Sequence, residues 1–527
     1  MGPLPLWQAA ALGAVGFLAL LPRLLGWTYV FQLDEYLPPR LLASLRRRLQ
    51  ARPWQTAALL LAAALLLLLA ALLPAELRPL PLLLAAPLPL ALRPSFARRS
   101  RLNWTQRARR LFSAAAGASL VLLILGFWSG PEGALLPGLA DPLSVLVLSL
   151  AAIAWSPYES GRRRAFMRQA EHRLGEAHPL VVGITGSYGK TTTKVLLAQL
   201  LDVPEGSCFA TPASYNTTLG VCRAVNEGLR PHHRVAVLEM GAYRPGEIAE
   251  ICSFSHPRVG VVTAVGPMHL ERFGTVERVA RAKSELLAAL PQDGFAVVPS
   301  DIRERERLLA PLSARLVEVG RPGDRWWLDG VEVAGEATRC RLLGRDGEEL
   351  ELEVRLFGRH LLQDLLCALA VAAELGRPLP ELAERARGLR GAPHRLEVTR
   401  RGGVTIIDDA YNSNPEGARE ALQLLGQLPG RRRVLVTPGY IELGEEEEES
   451  MAELGRQAAA VCTHVILVGP RHTEPVYRGL AGAGFPPAQV SVVADLEEAQ
   501  AVLPKVAGDG SVVLFENDLP DQYREQP

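Results

Sequence analysis

Lysine is nearly absent from this chain. Of 57 basic residues only four are Lys: Lys190, Lys194, Lys283 and Lys505. Arginine serves almost wherever a positive charge is needed, so a retained lysine hints at chemistry that a guanidinium cannot supply. Charge imbalance is lacking too. The formal net charge is +1 over 527 residues, which removes any general electrostatic case for nucleic-acid binding. Cysteine is sparse: the six residues Cys208, Cys222, Cys252, Cys340, Cys367 and Cys462 form no C-x-x-C pair. That pattern argues against a zinc ribbon or a disulfide framework and fits a reducing compartment.

Long apolar runs are present, and they crowd the first 160 residues. Leu6–Val30, Trp54–Leu73, Leu111–Trp128 and Leu135–Trp155 each approach the ~20 residues that cross a bilayer. Asp141 lies inside the last of them. The first run lacks a basic start and is followed by further spans, so it does not read as a cleaved signal peptide. Arg40, Arg46–Arg48 and Arg52, then Arg93–Arg110, then Arg162–Arg164 follow successive runs. The positive-inside rule makes all three groups cytoplasmic. That requires the short Pro-rich Leu80–Leu92 to return the chain, giving five spans; without it there are four. The expectation is a multi-pass region at 1–160 in the inner (cytoplasmic) membrane, with everything after it in the cytoplasm.

Val181–Thr193 reads V-V-G-I-T-G-S-Y-G-K-T-T-T. A strand enters a glycine-rich turn, and the turn opens a helix. Backbone N–H groups at Gly186, Gly189 and Thr192 can face a polyphosphate, Lys190 can reach its outer oxygens, and the Thr191 hydroxyl can ligate Mg²⁺. Ile184 stands where the first glycine of the usual motif would be. Further on, Arg234–Met240 reads as a buried strand ending in Glu239, well placed for a metal. Arg258–Val265 is another strand, leading to His269, and Val276–Leu290 reads as a helix carrying Lys283. Alternating strands and helices predict an α/β domain, a doubly wound parallel sheet, over about 178–391. Alternation between Leu316 and Phe357 suggests further strands with an exposed edge.

Four segments resemble the Mur ligases: T-G-S-Y-G-K-T-T, V-L-E-M-G, G-P-M-H-L-E-R-F-G-T-V-E-R-V-A-R-A-K-S-E, and I-I-D-D-A-Y-N-S-N-P. The likeness is nearest to the branch that adds D-alanyl-D-alanine in peptidoglycan synthesis. It covers about Val181 to Leu467 and is absent from residues 1–170. It implies ATP-dependent amide formation through an acyl phosphate. It implies ATP and two Mg²⁺, with Lys190 and Thr191 at the phosphates and Thr191, Glu239 and His269 at the metals. Lys283 falls where the family carries a lysine carbamylated by CO₂, a change that makes a cation into an anionic oxygen ligand. Ser214 and Asn216 fall in the family's Asn-rich substrate patch. The family's H-N-x-x-N reads His360-Leu361-Leu362-Gln363-Asp364 here, a departure at the adenine contacts.

Gly391-Ala-Pro is a plausible hinge into a second, Rossmann-like α/β domain at 392–527. By the same resemblance, Arg395 contacts ATP, Asp409 lies near the ribose, and Tyr411 and Asn412 line the cleft. Glu445–Glu449 reads as a solvated helix start. Soluble family members begin with a domain that grips UDP, and here membrane runs occupy its place. The expected acid substrate is therefore a lipid-linked or UDP-linked muropeptide, and the expected amine an amino acid or dipeptide. The alternatives are a polyglutamate-type or other cell-envelope amide ligase and, from another class, a membrane ATPase or transporter.

Overall fold

The computed structural model describes residues 6–33, 36–51, 104–129, 140–213, 215–267, 273–334, 337–410, 415–440, 443 and 446–516, with isolated positions between 61 and 72. It divides into two compact units, Met1–Arg163 and Arg164–Pro527.

Among the described residues the first unit holds the helices α1 (Leu6–Leu33), α2 (Pro38–Ala51), α3 (Gln106–Ser129) and α4 (Ala140–Ala177), the last continuing past the unit boundary. Leu20, Leu24, Trp27 and Phe31 of α1 pack with Leu111, Ala115 and Leu123 of α3 and Val145 and Leu148 of α4. Among the described residues two helical stretches, Gln106–Gly126 and Leu143–Ala177, are long and apolar enough to cross a membrane by length and composition. A third candidate is α1, whose halves Ala10–Leu18 and Leu20–Leu33 meet at a 48° bend. Pro22 sits inside that helix and removes the hydrogen bond to the carbonyl of Leu18, which accounts for the bend. Leu18, Val121, Leu125, Leu146 and Ile153 point their apolar side chains outward, with about half or more of each exposed. The Leu80–Leu92 segment and nearly all of Trp54–Leu73 lie outside the described residues.

In the second unit a nine-stranded sheet runs in the order β2-β3-β1-β4-β5-β6-β7-β8-β9. Its strands are β1 (Leu180–Thr185), β2 (Cys208–Ala210), β3 (Val235–Glu239), β4 (Val259–Val262), β5 (Phe295–Pro299), β6 (Arg315–Val319), β7 (Trp326–Ala334), β8 (Ala337–Gly344) and β9 (Glu349–Val354). The first six are mutually parallel, and β7–β9 extend the sheet as an antiparallel ribbon. Near-continuous Val, Ile and Ala runs in β1, β3 and β5 reflect burial on both faces. Helices α5 (Lys190–Leu201), α6 (Thr218–Gly228), α7 (Glu247–Ser255) and α8 (Val276–Ala288) flank the parallel part. Residues Ala170 and Leu174 of α4 join the core beneath α6–α8, together with Val181, Val225, Leu238 and Leu286.

The second sheet has the order β10-β11-β15-β12-β13-β14, using β10 (Glu397–Arg401), β11 (Val404–Asp409), β12 (Arg432–Thr437), β13 (His464–Val468), β14 (Val490–Val493) and β15 (Ser511–Glu516). Only β10 runs antiparallel, at the edge. The acidic run does open a helix, Glu447–Val461, with Glu447, Glu448 and Glu449 in its first turn, where the helix dipole favours them.

Candidate active site

Parallel strands deliver their C-terminal ends to one edge of the sheet, so the loops after β1, β3 and β4 are neighbours. The loop after β1 is clamped there by backbone and hydroxyl contacts. Ser187 N–H donates to the Ala264 carbonyl (2.8 Å), Gly266 N–H donates to Ser187 Oγ (3.0 Å), and Thr263 Oγ1 donates to the Tyr188 carbonyl. Two glycines have no substitute in this loop. A Cβ at Gly186 would sit 1.9 Å from Thr263 Oγ1. At Gly189, where φ is 79°, it would sit 2.0 Å from Asp364 Oδ1. Gly189 then starts α5 without a side-chain cap, leaving the first-turn N–H groups free for a ligand.

Lys190 folds back over this loop, its ammonium donating to the carbonyls of Gly186 (2.7 Å) and Ser187 (3.2 Å). Burial lowers it to about 8, against the opposing pull of Glu239. Thr191 Oγ1 donates to Glu239 Oε1 (3.2 Å), and Asn216 Nδ2 donates to the same oxygen (3.0 Å). The other oxygen, Oε2, takes the ammonium of Lys194 at 2.9 Å. Burial pushes the Glu239 carboxyl up, but Lys194 and Lys190 outweigh it and hold the group below its usual range. A hydroxyl beside a carboxylate is a hard-oxygen pair of the kind Mg²⁺ takes, so these residues fit that ion. Among the described residues no three His, Cys, Asp or Glu side chains gather into a metal-binding group.

Lys283, on α8, is 6% exposed. It makes no hydrogen bond or ion pair with any described residue. Burial, and then the charge on Lys190, depress it well below an ordinary lysine. It lines a cavity of about 40 Å³ with Gly186, Ser187, Lys190, Asn216 and Tyr243. The structure therefore brings Gly186, Lys190, Thr191, Asn216, Glu239 and Lys283 to one place, with Thr192 buried in the first turn of α5. Ser214, His269, Tyr411 and Asn412 lie outside the described residues.

The turn before β10 approaches this site from the second sheet. His394 and Leu396 both take positive φ, 60° and 47°, on either side of Arg395. Leu396 N–H donates to Asp409 Oδ1 (3.0 Å), which fixes Asp409 at the end of β11. Arg395 is close enough to Lys190, Asp364 and Asp409 to act on the charge of each. Burial raises Asp409, and raises Asp364 to about 6 despite the nearby His360 and Arg395. His360 is ion-paired with Glu420, whose carboxylate also accepts from the His360 backbone N–H (3.0 Å).

Two of these residues escape a reading of the sequence as site members. Lys194 is flagged only by the scarcity of lysine. Asp364 appears only as a departure from the family's asparagine.

Residues 184–372 match the Mur ligase middle domain, and residues 394–516 match the glutamate ligase domain of Mur ligases. A UDP-N-acetylmuramoyl-tripeptide--D-alanyl-D-alanine ligase of Mycobacterium bovis is 35% identical over 360 residues, covering 63% of this chain and 69% of the relative. The Escherichia coli protein of the same name is 31% identical over 294 residues, covering 55% and 64%. MurF ligase of Thermotoga maritima, solved in complex with ADP, superposes with a TM-score of 0.59 at 27% identity over 68% of this chain and 80% of that one. MurF of Acinetobacter baumannii gives 0.60 at 27%, over 68% and 77%.

Proposed function

The chain belongs to the Mur ligases, ATP-dependent enzymes that join an acid to an amine, and from that premise we propose that it adds D-alanyl-D-alanine to a muramoyl tripeptide at the cytoplasmic face of a membrane. The observation that carries the catalytic part is the shared cavity of Lys190, Asn216 and Lys283. In this reading residues 178–391 bind ATP and the acid, and residues 392–527 close over them.

The N–H groups of Gly186, Gly189 and Thr192 and the ammonium of Lys190 hold the β- and γ-phosphates. Thr191 and Glu239, with His269, hold Mg²⁺, which when bound neutralises the anions that must meet. Lys283 carries CO₂ as a carbamate. Its depressed basicity favours the free amine that attacks CO₂, and the adjacent cavity leaves room for three added atoms. Asn216, with Ser214, orients the tripeptide carboxylate. That carboxylate attacks the γ-phosphorus, ADP leaves, and an acyl phosphate forms. The dipeptide amine, lying near Tyr411 and Asn412, attacks the acyl carbon; phosphate leaves and the nitrogen gives up a proton. Arg395 and Asp409 bind the nucleotide from the second sheet and exclude water from the acyl phosphate.

The membrane part rests on the apolar helices of the first unit and on the arginine groups between them. Two outcomes test the whole. Membranes washed with sodium carbonate should retain the full chain. The detergent-solubilised protein should release ADP only when muramoyl tripeptide and D-alanyl-D-alanine are both present, and this turnover should fall in CO₂-free buffer and return with bicarbonate. A chain released by carbonate rejects the membrane placement. Equal turnover with glutamate as the amine rejects the dipeptide assignment. Assaying UDP-linked and lipid-linked tripeptides side by side decides which form is used.

A further inference from the structure

Lys194 follows the phosphate-loop threonines and is 2% exposed. Its ammonium reaches two groups from distant parts of the chain: Glu239 Oε2 at 2.9 Å and the carbonyl of Ala213 at 2.5 Å. Glu239 is itself 1% exposed. The carboxylate is thus divided. One oxygen is held by Lys194, and the other faces Thr191 Oγ1 and Asn216 Nδ2 at the phosphate loop. Thr211 Oγ1 accepts from the Glu239 backbone N–H at 3.1 Å, so the strand end is pinned as well. Ala213 sits at φ 43°, a conformation that costs a non-glycine residue energy and needs an anchor.

We propose that Lys194 is a positioning residue: it fixes Glu239 in the rotamer that turns a single oxygen toward Thr191 and Mg²⁺, and it holds the 211–217 loop so that Asn216 lies beside that oxygen. The proposal rests on the reading of Glu239 as a metal ligand. The slot explains the retained lysine. Three elements converge on one point charge: α5, the end of β3 and the loop carrying Ala213. A guanidinium is a broad planar fork on a three-carbon stem, whereas lysine puts a compact point charge on a four-carbon stem, which suits a convergence on one point and accounts for a lysine kept here in an arginine-rich chain. Groups that hydrogen-bond to the ligands of a metal typically contribute about 10–100-fold in its affinity.

The test measures equilibrium binding of a non-hydrolysable ATP analogue to the full-length protein, with Mg²⁺ and with EDTA. The variants are Lys194→Met, Lys194→Gln and Lys194→Arg, with Glu239→Gln as control. Affinity in Mg²⁺ should fall about 10–100-fold in Lys194→Met and Lys194→Arg, while affinity in EDTA changes less than about twofold. Lys194→Gln keeps a hydrogen-bond donor and should lose less. If Lys194→Met gives no cooperative unfolding transition, the Gln and Arg variants carry the same criterion. Equal losses with and without Mg²⁺ overturn the proposal, because a merely structural role would act on both. Unchanged binding in the Lys194 variants, beside a lost Mg²⁺ increment in Glu239→Gln, overturns it too. If Glu239→Gln keeps the full Mg²⁺ increment, the metal reading of Glu239 fails, and the role of Lys194 falls with it.

Discussion

Lys283→Met should remove activity and, at neutral pH, make the protein harder to unfold. The wild-type amine is almost wholly buried, has no partner among the described residues, and has a second ammonium for a neighbour. The native state therefore holds it uncharged well below the ~10.4 of a free lysine, while the unfolded chain binds a proton there. Between the native and unfolded pKa values the unfolded state carries one more proton than the native. In that window the Lys283 contribution to wild-type stability rises with pH and is lost as pH is lowered. Methionine has similar length and no charge, so this slope disappears in the variant. As pH is lowered from 9.5, wild type should lose stability steadily relative to Lys283→Met, because burial and the charge on Lys190 depress the native amine well below an ordinary lysine. Urea midpoints at pH 9.5 and pH 7.5, measured without CO₂ so that no carbamate intervenes, give the sign of the change. A variant less stable than wild type at pH 7.5, or a difference that does not change with pH, would refute the picture of a neutral, unpaired amine. The same variant assayed for ADP release should be inactive, which separates the amine's chemical role from its cost to folding.

Asp364→Asn tests a group shifted the other way. Its native pKa of about 6 lies above the ordinary 3.8, so its stabilising effect is complete below pH 3.8 and is lost as pH rises through 6. The asparagine variant should gain about 3 kcal/mol at pH 7 over wild type, and nothing at pH 3.5, by chemical denaturation. Glu239→Ala strands a buried ammonium and should cost about 3–5 kcal/mol; adding Lys194→Met to it should recover most of that loss, and a purely additive double variant would disprove the coupling. Gly189→Ala forces a left-handed alanine, about 1–2 kcal/mol, and drives its Cβ into Asp364, so nucleotide binding measured by calorimetry should be abolished. Binding within tenfold of wild type would show that the loop can move aside.

Much of the fold is legible because its signals are local. The phosphate loop, β1 and the start of α5 are contiguous, and turn, cation and helix announce one another within ten residues. The Val- and Ile-rich strands of both sheets are equally plain. The strands β2 and β5 are not: one spans three residues, and the other, Phe295–Pro299, ends in a proline that reads as a turn. The alternation after Leu316 does give strands, but their antiparallel pairing depends on register between segments and is invisible in any one of them. Site geometry divides along the same line. Lys190 and Thr191 follow from the loop itself. The grip of Lys194 on Glu239 joins residues 45 positions apart, and the approach of Asp364 to Gly189 crosses far more chain. Such contacts arise from sheet order, which no short window of sequence carries.

The last stretch of α4 belongs to the hydrophobic interior of the second unit, with Ala170 fully enclosed and Leu174 nearly so. This sets where the molecule can be divided. A fragment begun at the first strand would strip that lining from beneath α6–α8 and leave an exposed apolar patch in its place. One begun near Arg164 keeps the lining, so the natural seam for making a catalytic half without its greasy helices falls within a continuous helix and not at the loop that follows it.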